Sequence, residues 1–238
     1  MRATTLANTL DDLNSLMDWK ARTAMQGLVS RDDLLDVAYG LDADEKKAWN
    51  NLVEDCLKAA QSDRKANTGT ALHRFTERHD AGMLNRIPPK WDGHLEAYRL
   101  FKEREQVTTY KKYIECITAV PLLGAAGTMD RIVLHEGKPK IADLKTGSVE
   151  YKGLSISMQL AMYANGCGLW DADKEEWAPM PKDLDMEEGL VFHMPADLDE
   201  DQEPFVELIR VDLVKGWKAA QLAVEVRELR KDKELLIK

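Results

Sequence analysis

The chain has 238 residues, 44% of them apolar, enough to bury one good core with a helical subdomain attached. Its formal charge of −9 argues against a protein that coats DNA by charge alone, which would need a basic footprint. No stretch reads as a membrane span or a secretory leader, and three scattered cysteines fit a reducing compartment, so a cytoplasmic protein is expected.

Residues 1–66 read as helical. Leu6, Leu10, Leu13, Leu16 and Met17 recur at helical spacing, as do Ala48, Leu52, Val53, Cys56, Leu57 and Ala60, with Gly27 and Gly40 as punctuation. This region is expected to be a helical arm or lid, and residues 67–238 the core. Thr68 or Thr70 can cap a helix carrying Leu72, His73, Phe75 and Thr76. Pro88-Pro89 starts another, with Trp91, Leu95, Tyr98, Leu100 and Phe101. Strands are predicted near 106–119, 127–135 and 139–145, then a helix near 153–168. The polar stretch 171–187, with Pro179 and Pro181, reads as a mobile loop. Strands near 188–194 and 204–212 and a helix from 213 to 234 close the chain.

The chemistry concentrates in Asp143-Leu144-Lys145-Thr146-Gly147, where an apolar strand stops at a turn. Strand side chains alternate, so Asp143 and Lys145 point to one side. A carboxylate that can hold a divalent cation, beside an ammonium that can orient a water, suits attack on a phosphodiester. Upstream, Gly127-Thr-Met-Asp130-Arg131-Ile132 is joined to it through Glu136-Gly137-Lys138-Pro139, a hairpin turn. With Gly137-Lys138 as the two-residue loop, Glu136 pairs with Pro139, Ile132 lies opposite Asp143, and Asp130 shares the face of Asp143 and Lys145. Two carboxylates and a lysine are costly to bury unpaired, which argues for an ion or phosphate between them. The plainer alternative is a surface Asp–Lys pair of little energetic consequence. On the following helix, Gln159 and Tyr163 stand four apart, on one face. Basic residues gather near these motifs: Arg74, Arg78, Lys102, Arg104, Lys111, Lys112, Arg131, Lys145 and Lys152 read either as a DNA track or as solvated faces. His79, His94, His135 and His193 read as structural or surface residues.

Taken in order, G-T-x-x-H, G-x-x-D-R-I, D-x-K-T-G and Q-L-x-x-Y-A over residues 67–168, with weaker matching strands to 212, resemble the RecB-type nuclease domain of the PD-(D/E)XK superfamily. The CRISPR adaptation nucleases and phage recombination exonucleases share this pattern. The resemblance implies an α/β (α+β) fold with a restriction-endonuclease-like core, helix–three strands–helix–strand around a mixed sheet, here with an N-terminal helical extension. It implies that His73, Asp130, Asp143 and the Leu144 backbone carbonyl ligate Mg²⁺ or Mn²⁺. Lys145 would position the attacking water, with Gln159 and Tyr163 supporting the site. Glu115 stands where some relatives place a further acid; an ion pair with Lys111 or Lys112 explains it as well. Some relatives carry an iron–sulfur cluster on four cysteines, but Cys56, Cys116 and Cys167 are only three, and no cluster is expected. The activity implied is a metal-dependent deoxyribonuclease, an exonuclease acting on DNA ends in recombination or repair. DNA is the expected partner, with a recombination protein and self-association as further ones. Rival readings are a structure-specific endonuclease of the same superfamily, a catalytically silent DNA-binding or interaction module, and a metal hydrolase of small phosphoesters.

Overall fold

The computed structural model describes residues 1–12, 14–60, 63–83, 87–171, 175–196, 198 and 201–232. The chain divides into two compact units, Met1–Asp11 with Ala71–Lys238, and Asp12–Thr70. Helix α1 (Ala3–Ala7) belongs to the larger unit and buries Ala3, Leu6 and Ala7 there. The single helical run expected from Leu6 to Met17 is therefore broken. A 3₁₀ turn covers Asn8–Leu10, the backbone extends at Asp11, and Leu16 and Met17 lie 45% and 60% exposed on α2 (Asn14–Val29). Leu13 falls outside the described residues.

In the smaller unit, α2 is followed by α3 (Asp32–Tyr39), which ends at Gly40, and by α4 (Lys46–Ala59). Helix α4 buries Leu52 and Cys56, one turn apart, and exposes Val53. Gly27 does not punctuate a helix; it is buried inside α2 against α4. Helix α5 (Asp63–Asp80) begins in this unit and ends in the larger one. Thr68 and Thr70, expected as caps, lie inside it. The hydrophobic face Leu72 and Thr76 nevertheless packs as its spacing predicts, both residues being buried.

A 3₁₀ turn at Pro89–Trp91 leads into α6 (Asp92–Arg104), and the strands follow. They are β1 (Thr108–Val120), β2 (Ala125–His135) and β3 (Lys138–Lys145). After α7 (Gly153–Ala164) come β4 (Leu169–Asp171), β5 (Glu176–Ala178), β6 (Glu188–His193) and β7 (Glu207–Asp212), and α8 (Leu213–Leu229) closes the described chain. The fold is mixed α/β: N-terminal helices, then one seven-stranded sheet in the order β5-β4-β1-β2-β3-β6-β7, flanked by helices. Every neighbouring pair is antiparallel except β3 and β6. The stretch expected as a loop from 171 to 187 contains β5, held to β4 by Trp170 packed edge-on against Trp177 at 5.5 Å. Residues 172–174 lie outside the described set.

The β2–β3 turn is Glu136-Gly137, one residue earlier than expected. Both residues have positive φ, 50° and 77°, the backbone of a type I′ turn, which places glycine second. His135 then pairs with Lys138, and Ile132 with Ile141 rather than with Asp143. Ile132, Ile141 and Val191 pack with α7, α8 and α1 in one apolar cluster. Val133, Ala142, Leu144, Leu190 and Phe192 pack with Leu72, Tyr98 and Phe101 of α5 and α6 in the other. No helix among the described residues is long and apolar enough to cross a membrane.

Candidate active site

The last residue pair between β2 and β3 is Arg131 with Ala142. Continuing that register puts Asp130 opposite Asp143, just where the strands part. The Leu144 amide, which would have entered the ladder, donates instead to Asp130 Oδ2 at 2.8 Å. A carboxylate thus takes the place of a backbone acceptor. Strict alternation fails on β2 at this point: Met129 and Ile132, three residues apart, share one apolar cluster. Across the sheet, β1 is irregular too. Its register against β2 shifts between Thr109 and Ile114, and Glu115 adopts a left-handed φ of 53°. The two-residue turn keeps the parity expected of an even loop, so Asp130 falls opposite Asp143, at a point where β1 and β2 are both irregular.

Four elements converge here. From α5, His73 Nδ1 lies 3.3 Å from Asp130 Oδ2. From β3, the Lys145 ammonium lies 2.7 Å from Asp143 Oδ2. From α7, Gln159 accepts from Lys145 Nζ at 3.3 Å and donates to the Tyr163 hydroxyl at 3.2 Å. The Tyr163 ring explains the glycine of the second motif: a Cβ on Gly127 would stand 3.0 Å from it and 3.2 Å from Ala3. The structure thus gathers the six residues in two sets of contacts, His73 with Asp130, and Asp143 with Lys145, Gln159 and Tyr163, which meet where Asp130 falls opposite Asp143. Glu115 lies on β1 two residues before its pairing with β4 begins at Ile117, and among the described ion pairs none joins it to Lys111 or Lys112.

The acids differ in electrostatic state. Burial, then the charge of Asp130, pushes the Asp143 carboxyl up to about 6 against the pull of Lys145. Burial also acts on Asp130, but the hydrogen bond and charge of His73, Arg131 and the Leu144 amide hold it below its ordinary value. Burial lowers His73, and Asp130 more than reverses that, so its imidazole is raised. Glu115 keeps an exposed rim, yet partial desolvation, then Glu77 and Asp130, push it up to about 7. Burial lifts the Tyr163 hydroxyl to about 12.

The donor chemistry suits a hard divalent cation: two carboxylates, an imidazole, and the Leu144 carbonyl on the strand edge that faces Asp130. One atom bears directly on this. Asp143 Oδ2 is buried without an aligned hydrogen-bond donor, Lys145 approaching it as an ion pair off the hydrogen-bond line. A cation would complete that oxygen. Against a preformed cage, no group of three or more His, Cys, Asp or Glu side chains among the described residues is gathered to hold an ion. The residues fit an ion held chiefly by the two aspartates, with His73 serving Asp130 through Nδ1.

Behind the site lies a buried charge network that sequence reasoning missed. Arg131, fully buried, donates to Asp80 Oδ2 at 2.8 Å, to the Tyr98 hydroxyl at 2.6 Å and to Thr76 Oγ1 at 3.3 Å. Lys102 and Thr109 also donate to Asp80, and Thr76 donates to the His73 carbonyl. Burial opposes the Asp80 charge, but His79, Arg131 and Lys102 hold its carboxyl far below the usual range. Arg131 and Lys102 therefore leave the expected DNA track and become structural. Arg131 alternates with Asp130 between Met129 and Val133, a signal for an inward cation; nothing local in the sequence marks Asp80 as its partner.

No protein-family model matches this sequence, and a search of curated proteins finds no match either.

Proposed function

We propose that this chain is a metal-dependent deoxyribonuclease with a restriction-endonuclease-like core of the RecB type, an exonuclease acting on DNA ends in recombination or repair. The observation that carries the reading is that Asp130 and Asp143 fall opposite each other one step past the last β2–β3 pair, with Lys145 on one acid and His73 on the other. The element order supports it: α5 and α6, three antiparallel strands, α7, then, past the short β4 and β5, β6 parallel to β3.

Asp130 and Asp143 would hold a Mg²⁺ or Mn²⁺ ion, with His73 and the Leu144 carbonyl beside them. Such an ion supplies charge to the phosphodiester and acidity to a water. Lys145, kept in place by Gln159, orients that water and adds a second positive charge near the developing anion. Tyr163 holds Gln159, and α7 thereby fixes the lysine. Without the ion the Asp143 carboxyl is raised to about 6, so protons compete with the cation for it, and more Mg²⁺ is expected to be needed for turnover as pH drops through that value.

The test is release of nucleotides from end-labelled single- and double-stranded DNA with Mg²⁺ or Mn²⁺. We expect cleavage that chelator abolishes and that Asp143→Ala or Lys145→Ala lowers on the order of a hundredfold or more. Covalently closed circles should survive; their cleavage would make the chain an endonuclease. The lack of a gathered three-side-chain ligand group among the described residues favours one other reading, a silent DNA-binding module. That reading wins if no DNA form is cut with either metal.

A further inference from the structure

We propose that His193 is a positioning residue: with Glu207 it clasps the turn that follows Lys145 and so fixes where that lysine stands. The proposal rests on the nuclease reading only for its consequence in turnover.

The turn after β3 is not shaped by its glycine. Gly147 is exposed, has no positive φ among the described backbone, and a Cβ there would meet nothing within 4 Å. Its form must be imposed from outside, and the end of β6 does this. Three successive carbonyls are captured: Lys145 O by the Met194 amide at 2.8 Å, Thr146 O by the Ala196 amide at 2.9 Å, and Gly147 O by His193 Nε2 at 3.1 Å. The first two bonds are backbone and available to any sequence. The third depends on one side chain.

His193 is placed for it by register. It pairs with Lys145 across the parallel β3–β6 ladder and with Glu207 across β6–β7. Its Nδ1 lies 2.7 Å from Glu207 Oε1. Both ring nitrogens therefore face acceptors, a carboxylate and a carbonyl. Only a ring carrying a proton on each nitrogen donates to both, and the carboxylate fixes the ring's orientation as it does for a ligating histidine. The Glu207 side chain is about half exposed and that of His193 is 13% exposed, so the clasp closes the turn from the solvent side. At the other end, Lys145 Nζ must keep both Asp143 at 2.7 Å and Gln159 at 3.3 Å. A displacement of an ångström at a catalytic group can cost about a hundredfold in rate, so a loose turn should be felt in kcat.

The test compares the full chain with His193→Ala, His193→Gln and Glu207→Gln. Hydrogen exchange of amides 146–149 in metal-free protein reads the clasp directly, and DNA cleavage kinetics read its consequence. We expect faster exchange confined to this turn in His193→Ala, and kcat lower by about tenfold or more with KM for DNA within about twofold. His193→Gln, which can still donate to Gly147 O and folds without a buried cavity, should recover part of both, and Glu207→Gln should fall between it and the parent. Unchanged exchange in His193→Ala overturns the clasp, whatever the activity. Faster exchange with unchanged kcat overturns the positioning role. A parent that cuts no DNA while the turn loosens in the variant overturns the nuclease reading and leaves the clasp standing.

Discussion

Asp143 is held in the fold at a cost. Its carboxyl rises from an ordinary 3.8 to about 6, so the native state prefers the neutral form. A raised carboxyl favours folding below about pH 4, and that advantage is lost as pH climbs to about 6. The penalty is then fully present at neutral pH, amounting to about 1–3 kcal/mol. With chelator at pH 8, Asp143→Asn should melt about 2–8 °C above the parent, the gap closing by pH 4. A variant that melts lower at both pH values would show that the pair with Lys145 outweighs burial. Divalent cation should raise the melting temperature of the parent and not of this variant. The acids and the lysine were legible in the sequence because strand alternation and charge cost point to them without tertiary knowledge. The irregularity of β1 beside Asp130 was not, because nothing local in the sequence marks the left-handed Glu115 or the register shift before Ile114.

At the scale of elements, the buried pairing of Arg131 with Asp80 joins β2 to α5 and α6. Thr76 extends it to the His73 carbonyl. Arg131→Met keeps the bulk but takes from buried Asp80 the more deeply buried of its two partners Arg131 and Lys102, and should cost about 3–5 kcal/mol in urea unfolding. Gly127→Ala should act differently, pressing the Tyr163 ring and with it Gln159. Its stability loss should be about 1–3 kcal/mol, with a kcat loss that a simple packing defect would not bring. Periodicity marks the longer strands, and α7 and α8 begin where expected, at 153 and 213, but end four and five residues early, at Ala164 and Leu229. The hairpin register slipped by one turn position because the glycine of Glu136-Gly137 was taken as the first loop residue, whereas a I′ turn wants it second. Strands of three residues such as β4 and β5 carry too few positions for a period, and they hold together through Trp170 and Trp177.

For the whole molecule, a charge of −9 must be reconciled with a polyanionic substrate. Three of the basic residues nearest the motifs, Arg131, Lys102 and Lys145, are committed to Asp80 and Asp143 and do not offset the acidic excess. Fluorescence anisotropy with labelled DNA should therefore detect little binding in chelator. With Ca²⁺ added, the slope of log affinity against log salt should correspond to about two or three phosphates. A steep slope without any divalent ion would point to a basic surface instead. The expected arm was 1–66 and the expected core 67–238; the compact units instead join Met1–Asp11 to Ala71–Lys238, one helix, α5, belongs to both, and His73 sits three residues past the division at Thr70. Anyone wishing to excise the smaller unit thus has no linker to cut. A chain begun at Ala71 would keep only the stretch 71–80, shorter than helices that persist unaided in water. Its first four amides, that of His73 among them, would be left without carbonyls to accept them. Such a truncation would fray the very turn that presents the imidazole, and a loss of cleavage in it would say nothing about the removed part.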